Sequence, residues 1–372
     1  MPNNFVTPQV IAREALLALR ENLVIRDLVT TDYENEYKGV GDTVSVRVPP
    51  VLEAADFTPG TPINKQDVKE EKIPVTLSHH VDVSAAIGTK EQTLDLASLN
   101  EQVIMPMSLA LARKIEAAVT KEAALGAACG IGTPGATPAS IDIFRYARRD
   151  LSKYLAPTGN RSCLFDPDAA AALLALDALR NVNQSGSAAA LREGEMGRVF
   201  GFSNYESQLV HTHTPGAFTA LTDVTATGSK GTKAVTLTSA AGASTAAIAV
   251  GDQLTIAGKP YVVTKGGTAV AGVVAVEVGP NLDSDYVSAT VAFVNKAAHV
   301  ANLAFHKGAI GFVCRPLDKP LGGVESYTAN FGGLALRVVM DYDTDNKQSI
   351  VSMDTLFGVA IFRPRHIVRV AG

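Results

Sequence analysis

Gly130-Ile131-Gly132-Thr133-Pro134-Gly135 spells G-x-G-x-x-G, and Asp150 lies twenty residues beyond the first glycine. In a dinucleotide site a strand precedes the glycines and a helix opens within them, so that amide N–H groups face the pyrophosphate. Here a helical pattern precedes the glycines and Pro134 removes a donor, which predicts a loop. Asp341, Asp343 and Asp345 begin like a calcium loop. The sixth position is Asn346 where glycine is needed, and the twelfth is Ser352 where a bidentate glutamate closes the shell. A hairpin turn is the expectation. His211 and His213 would share one face of a strand, as metal ligands can, and His299 and His306 are the partners a fold would have to bring up. His79 and His80 would point to opposite faces as polar surface. There is no G-x-S-x-G, H-E-x-x-H or P-loop, and Cys163 beside Leu164 and Phe165 reads as a core thiol with nothing adjacent to lower its pKa. The residues therefore predict no catalytic, cofactor-binding or metal site.

The composition narrows the class further. The chain has 372 residues, 47% hydrophobic and 19% charged, enough for two or three domains with a sizeable core. Aromatics make up 6% and Trp is absent, so small residues must build thin sheets and close-packed helices rather than a deep aromatic pocket. A net charge of −4 argues against gripping phosphate as the main activity, while leaving room for weak contact with nucleic acid. Cys129, Cys163 and Cys314 are odd in number and far apart, which predicts buried free thiols in a reducing compartment. No basic-then-apolar leader opens the chain and no apolar run reaches membrane-spanning length.

Thr7-Pro8 marks a helix start, and Ala12, Ala15, Leu16 and Leu19 give it an apolar face to about Glu21. The strongest helical pattern follows Ser98 and Glu101, a capping-box pair. It runs through Val103, Met107, Leu111, Ile115 and Val119 to Leu125, with Gly126 as its stop and Pro106 as a kink or as the start of its longer half. Further expectations are a helix over 141–155, a buried strand at 163–165 and a helix from Asp166-Pro167-Asp168 to about Asn181. From Phe218 to Phe293 the chain turns to Thr, Ala, Val and Gly. Five strand-like runs there (234–238, 253–256, 261–264, 273–278 and 287–294) predict a small all-β module inserted into a host domain. Leu334, Leu336, Val338, Met340 and Tyr342 alternate as one strand of a C-terminal sheet. The class is α+β.

One segment has strand alternation without an evident surface of its own to cover. Val44, Val46 and Val48 alternate with polar residues, as do Val75 and Leu77, and between them stand Pro49, Pro50, Pro59, Pro62 and the charged run from Asn64 to Lys72. An isolated two-stranded ribbon is marginal in water, so Gly41–Leu77 is expected to find its missing surface on another chain. The mixed charges of Lys65, Asp67, Lys69, Glu70, Glu71 and Lys72 would pair across that contact and set its register. Val44, Val46, Val48, Val75 and Leu77 would add its apolar part.

This order of parts resembles the major capsid (coat) proteins of tailed double-stranded DNA bacteriophages, and looks closest to the short-tailed Salmonella phage coat-protein family. Asp32-Tyr33-Glu34 and Gly41-Asp42-Thr43-Val44, with Arg47 and Pro49, look like that family's lead-in to an extended loop. Thr89-Lys90-Glu91 before the spine helix and Gly132-Thr133-Pro134-Gly135 after it are similar too. Val250-Gly251-Asp252 with Ile256-Ala257-Gly258 resembles its inserted domain. Ala304-Phe305-His306-Lys307-Gly308-Ala309 and Asp354-Thr355-Leu356-Phe357-Gly358 complete a likeness that spans nearly the whole chain, least at 219–231 and near Gly242.

The resemblance implies the Hong Kong-type capsid fold. Its parts would be an N-terminal arm (1–40), an extended β-ribbon loop (41–88), and a spine helix with the first part of a peripheral domain (89–160). An axial domain (161–217 and 297–330) would be interrupted by the inserted β domain (218–296), and the peripheral sheet would close the chain (331–372). It implies a non-enzymatic shell subunit forming hexamers and pentamers of an icosahedral procapsid that expands on packaging. The partners implied are other copies, a scaffolding protein, a portal protein, a decoration protein and, non-specifically, packaged DNA. No membrane partner is implied, and the place of assembly is a host cytoplasm. Some relatives of this fold join Lys to Asn between subunits; Lys65, Lys69 or Lys72 would be the donors here, against ordinary ion pairs as the expected role. The arm helix is expected to shift as the shell matures, and removing residues 1–22 to block assembly while leaving the monomer folded. The rival readings are a cellular nanocompartment shell and a β-rich tail or adhesin protein.

Overall fold

A computed structural model describes residues 8–21, 23–31, 43–48, 56, 71–88, 100–181, 193–240, 245–320, 324–331 and 333–372. Helix α1 (Pro8–Glu21) is followed by an antiparallel ribbon, β1 (Thr43–Val48) with β2 (Glu71–Thr76), and by the long strand β3 (His79–Gly88). A π-helical turn (Asn100–Ile104) feeds α2 (Met105–Leu125), 21 residues and about 32 Å long. Next come β4 (Cys129–Gly132), α3 (Asp142–Lys153), β5 (Arg161–Phe165), α4 (Pro167–Leu174) and α5 (Asp177–Arg180). Three short strands follow: β6 (Arg198–Val199), β7 (Phe202–Glu206) and β8 (Thr212–His213).

Pro106 stands in the first turn of α2, directly after the π-helical turn, and so marks the start of the helix's longer half. Ser98 lies outside the described residues. The helix foreseen from Asp166 to Asn181 breaks in two at Leu176, whose ψ of 131° is extended.

The Thr/Val-rich segment supplies β9 (Val224–Gly228), β10 (Ala234–Ser239), β11 (Ala247–Ile248), β12 (Gln253–Ile256), β13 (Lys259–Lys265), β14 (Gly267–Thr268), β15 (Val273–Gly279) and β16 (Tyr286–Val294). Six of these close a barrel in the order β10-β15-β13-β12-β16-β9, leaving no open edge in that sheet. Its interior is alternate residues such as Val235 and Leu237, or Val274, Val276 and Val278, packed with Tyr261 and Phe293.

The chain returns through β17 (His299–His306), β18 (Ile310–Arg315), β19 (Glu325–Phe331), β20 (Leu334–Asp343), β21 (Gln348–Ile361) and β22 (Ile367–Ala371). A mixed sheet of seven strands runs β4-β22-β17-β5-β7-β6, with β8 also on β17. Its central strands are covered on both faces. Leu164 and Leu303 point into the main core, whereas Cys163, Phe165 and Ala304 pack beneath α3 and α4. The second sheet is antiparallel: β18-β21-β20-β19, with β3 along the other side of β21. In β20, Leu334, Leu336 and Val338 are buried as the alternation predicts, whereas Tyr342, on the same face, is exposed near the end of the strand.

The main core corrects one expectation. Helix α1 lies against α2, β19 and β20. Its Ile11, Ala12, Ala15, Leu16 and Leu19 are buried in one cluster with Leu111, Ile115, Leu336 and Phe357. A helix whose apolar face is buried in its own core differs from the free arm expected, and removing residues 1–22 would uncover that part of the core.

Candidate assembly interface

The ribbon was the one site marked out by its residues. Its register pairs Val44 with Val75, Val46 with Ile73 and Val48 with Glu71, so Glu71 and Lys72 belong to β2 rather than to the turn beyond it. Lys65, Asp67, Lys69 and Glu70 lie outside the described residues.

Val75 departs from its expected role. It is 1% exposed, sealed by the chain's own Val313 and Phe362, with Ile73, Leu77 and Ala360 packed around them. The reason is covalent and local: only Leu77 and Ser78 separate β2 from β3, and β3 is zipped to β21 from Phe357 to Gln348. At Gly358 an added Cβ would sit 2.5 Å from the Thr76 carbonyl, so only glycine lets the ribbon base approach this closely. Leu77 remains half-buried. The ribbon is therefore rooted in its own chain.

The motifs that mimic chemistry are absorbed by the fold. Gly130 and Gly132 sit in β4, so a strand does carry the glycines, but the next helix, α3, opens only at Asp142. A Cβ on Gly130 would come within 2.3 Å of the Gln253 side-chain oxygen, so the glycine makes room for a barrel side chain. Asp343 accepts from the backbone N–H of Asp345 at 2.9 Å and from the Asn346 amide at 2.7 Å. That carboxylate stabilises the β20–β21 hairpin turn.

His213 does meet His299, ring to ring at 5.6 Å across β8 and β17, but its Nε2 is 3.0 Å from Asp252. His306 pairs with His366 instead, at 6.4 Å. Burial, then Arg369 and His213, push His299 down to about 4 even though a hydrogen bond to Ala297 opposes them, so the imidazole is neutral at pH 7. Among the described residues no group of three or more His, Cys, Asp or Glu could hold a metal ion. All three cysteines are buried and free, and burial raises the thiols of Cys163 and Cys129, the latter to about 12.

Polar pins that the sequence did not announce fasten the barrel to the body. Gln253, 1% exposed in β12, donates to the carbonyls of Ala127 at 2.7 Å and Cys129 at 2.8 Å, and accepts from Asn295 at 2.9 Å. Arg369, wholly buried in β22, reaches the Ala124 carbonyl at the end of α2 and, at 2.9 Å, the Gly251 carbonyl beside the barrel. Burial lowers its pKa to about 9, still charged at pH 7. The available signal was a lone charge in the apolar run Ile367-Val368-Arg369-Val370-Ala371. In the second sheet Arg337 clasps Asp354, which also faces His80 at 3.2 Å.

Between the ribbon base, the end of α2 and the barrel is a groove of about 480 Å³ lined by Ile73, Leu125, Val250, Ile361 and Phe362. Its Asp283 is gripped by Arg365 at 2.8 Å. Burial alone would raise that carboxyl, but Arg365 and Lys259 hold it below its ordinary value, leaving a structural ion pair rather than an acid–base catalyst.

No protein-family model and no curated protein matches the chain. Solved structures do. A structure from Mycobacterium phage Che8 superposes with a TM-score of 0.57 at 13% identity, covering 94% of this chain and 90% of the other. The capsid of the cyanophage P-SCSP1u gives 0.51 at 14% identity, covering 89% and 84%. The capsid of Ralstonia phage GP4 gives 0.50 at 9% identity, covering 91% and 85%. Rooted ribbon, long α2 and two sheets thus form, over most of the chain, a fold found in phage capsids.

Proposed function

We propose that this chain is the major capsid subunit of a tailed double-stranded DNA phage, assembling with copies of itself into an icosahedral shell of hexamers and pentamers. The observation that carries the reading is fold likeness along almost the full length of both chains in each comparison, rather than a shared local motif. The ribbon supports it. Its base is held by Val75, while Val44, Val46, Val48, Lys65, Asp67, Lys69, Glu70, Glu71, Lys72 and Leu77 are the residues we assign to the neighbouring subunit. The barrel is read as an inserted domain in the manner of the short-tailed Salmonella phage coat proteins, pinned by Gln253 and Arg369. Scaffolding, portal and decoration proteins belong to the same proposal, as does passive contact with packaged DNA.

Electron microscopy of the purified protein, alone and with a scaffolding protein encoded beside it, tests this directly. Closed shells are expected. Monomers that persist at high concentration under both conditions would refute it, and shells filled with an enzyme rather than nucleic acid would favour a nanocompartment. Reversing Glu71 and Lys72 to Lys and Glu should stop closure without altering the monomer's melting.

A further inference from the structure

Basic groups from several elements gather at one end of the seven-stranded sheet. Arg161 opens β5 directly opposite His306, the last residue of β17, and Lys307 follows. His366 packs its ring 6.4 Å from His306, and Arg363 stands three residues before it. Arg148 reaches in from α3, its guanidinium 3.1 Å from the Phe200 carbonyl.

None of Arg148, Arg161, Lys307 and Arg363 has a carboxylate partner among the described residues, whereas Arg145 and Arg149 on the same helix pair with Asp142 and Asp150. Arg161 is 3% exposed, and its donors go to Pro157 at 2.8 Å, Ala156 at 2.7 Å and the Ser152 hydroxyl. It therefore adds positive field from beneath rather than a contact.

The groups also sense one another. Burial, then Arg161 and Arg363, hold His306 below its ordinary value; burial, then Arg363, His306 and Arg161, do the same to His366 against an opposing hydrogen bond to Tyr154. Arg161 is itself lowered by burial and by Arg148. Charge of a single sign gathered at one corner raises a local positive potential that attracts an anion from outside the chain. The ribbon run of a neighbouring copy fits poorly, because Lys65, Lys69 and Lys72 balance Asp67, Glu70 and Glu71. A nucleic-acid backbone presents negative charge only.

We propose that this corner binds the phosphodiester backbone of double-stranded DNA, with Arg148, Lys307 and Arg363 on the phosphates. The inference deepens the capsid reading, which is what places DNA within reach.

The test titrates purified wild-type subunit against a fluorescent random-sequence DNA duplex over a range of salt concentrations. Binding should weaken linearly on a log–log salt plot, and Arg148→Glu with Arg363→Glu should cost about tenfold in affinity and lower the slope by about two. Arg148→Gln with Arg363→Gln gives the same direction should the charge reversal unfold the protein. Lys230→Glu, on the exposed surface of the barrel, should change neither quantity. Salt-independent or absent binding by folded wild type overturns the proposal, as does an equal loss in Lys230→Glu. So does a double variant that binds DNA normally but fails to build shells, because the corner would then be a subunit contact. Wild-type shells without DNA affinity defeat this inference and spare the capsid reading; DNA affinity without shells does the reverse.

Discussion

Leu19 and Leu17 lie two residues apart on α1 and provide a sharp test of whether that helix belongs to the body of the folded chain. Leu19 is wholly buried, whereas Leu17 is 55% exposed. Replacing a buried leucine by alanine removes its transfer energy and leaves a cavity, at a cost of about 2.7–5 kcal/mol. The upper part of that range applies where the walls cannot close in. Here α2, β19 and β20 frame the helix, and two of those walls are strands held in a sheet. Leu19→Ala should therefore destabilise the subunit by about 3–5 kcal/mol, a large share of the roughly 5–15 kcal/mol that holds a domain together. Leu17→Ala should stay within about 0.5 kcal/mol. Urea unfolding of dilute, unassembled protein, followed by circular dichroism, reads both; at a slope of about 3 kcal/mol per molar the Leu19 midpoint should drop by about 1–1.7 M. If α1 were a loose arm, both variants would unfold with wild type. Coincident curves for Leu19→Ala and wild type would refute the reasoning.

Three other outcomes follow from the same structure. His211, His299, His306 and His366 are all held below their ordinary values, burial being the largest cause for each. Between the folded and unfolded pKa ranges the unfolded chain binds more protons, so this stability is present at neutral pH and is lost as pH falls toward about 4, where His299 titrates; a urea midpoint at pH 5 no lower than at pH 7 would contradict it. Gln253→Ala removes the bonds to the Ala127 and Cys129 carbonyls and from the Asn295 amide and should cost about 3 kcal/mol. Hydrogen exchange should then quicken first in β4 and β12, and uniform quickening would argue against a local pin. Finally, Cys129, Cys163 and Cys314 should resist thiol reagents in the native protein and react together after unfolding; labelling of any one without unfolding would show that its burial is incomplete.

What was legible in the sequence is what local chemistry determines. Pro8 began α1, Gly126 ended α2, and Leu334 to Tyr342 alternated as the strand they form. Five of the six barrel strands were visible from their β-branched runs. The sixth, Val224-Thr225-Ala226-Thr227-Gly228, was not, because small residues and threonine carry little periodic signal. Yet this strand closes the barrel, pairing with β10 on one side and β16 on the other. Closure is a property of register among strands far apart in the chain, and no window of residues contains it.

The same limit explains the ribbon. Val75 read as an unsupported apolar residue because Val313 and Phe362, which cover it, lie more than two hundred residues further along the chain. Their arrival depends on β21, long enough at 14 residues to hold β3 on one side and both β18 and β20 on the other. A segment that looks incomplete alone can thus be rooted in its own chain. If the chain assembles as proposed, a ribbon fixed at Val75 and Gly358 would present its far residues with less orientational freedom than a hinged arm, and less entropy would be lost when a neighbour ordered them. On this argument Val75→Ala should harm shell closure more than its modest loss of buried surface harms the monomer. Equal losses in both assays would mean that the root stabilises the fold and does nothing to orient the ribbon.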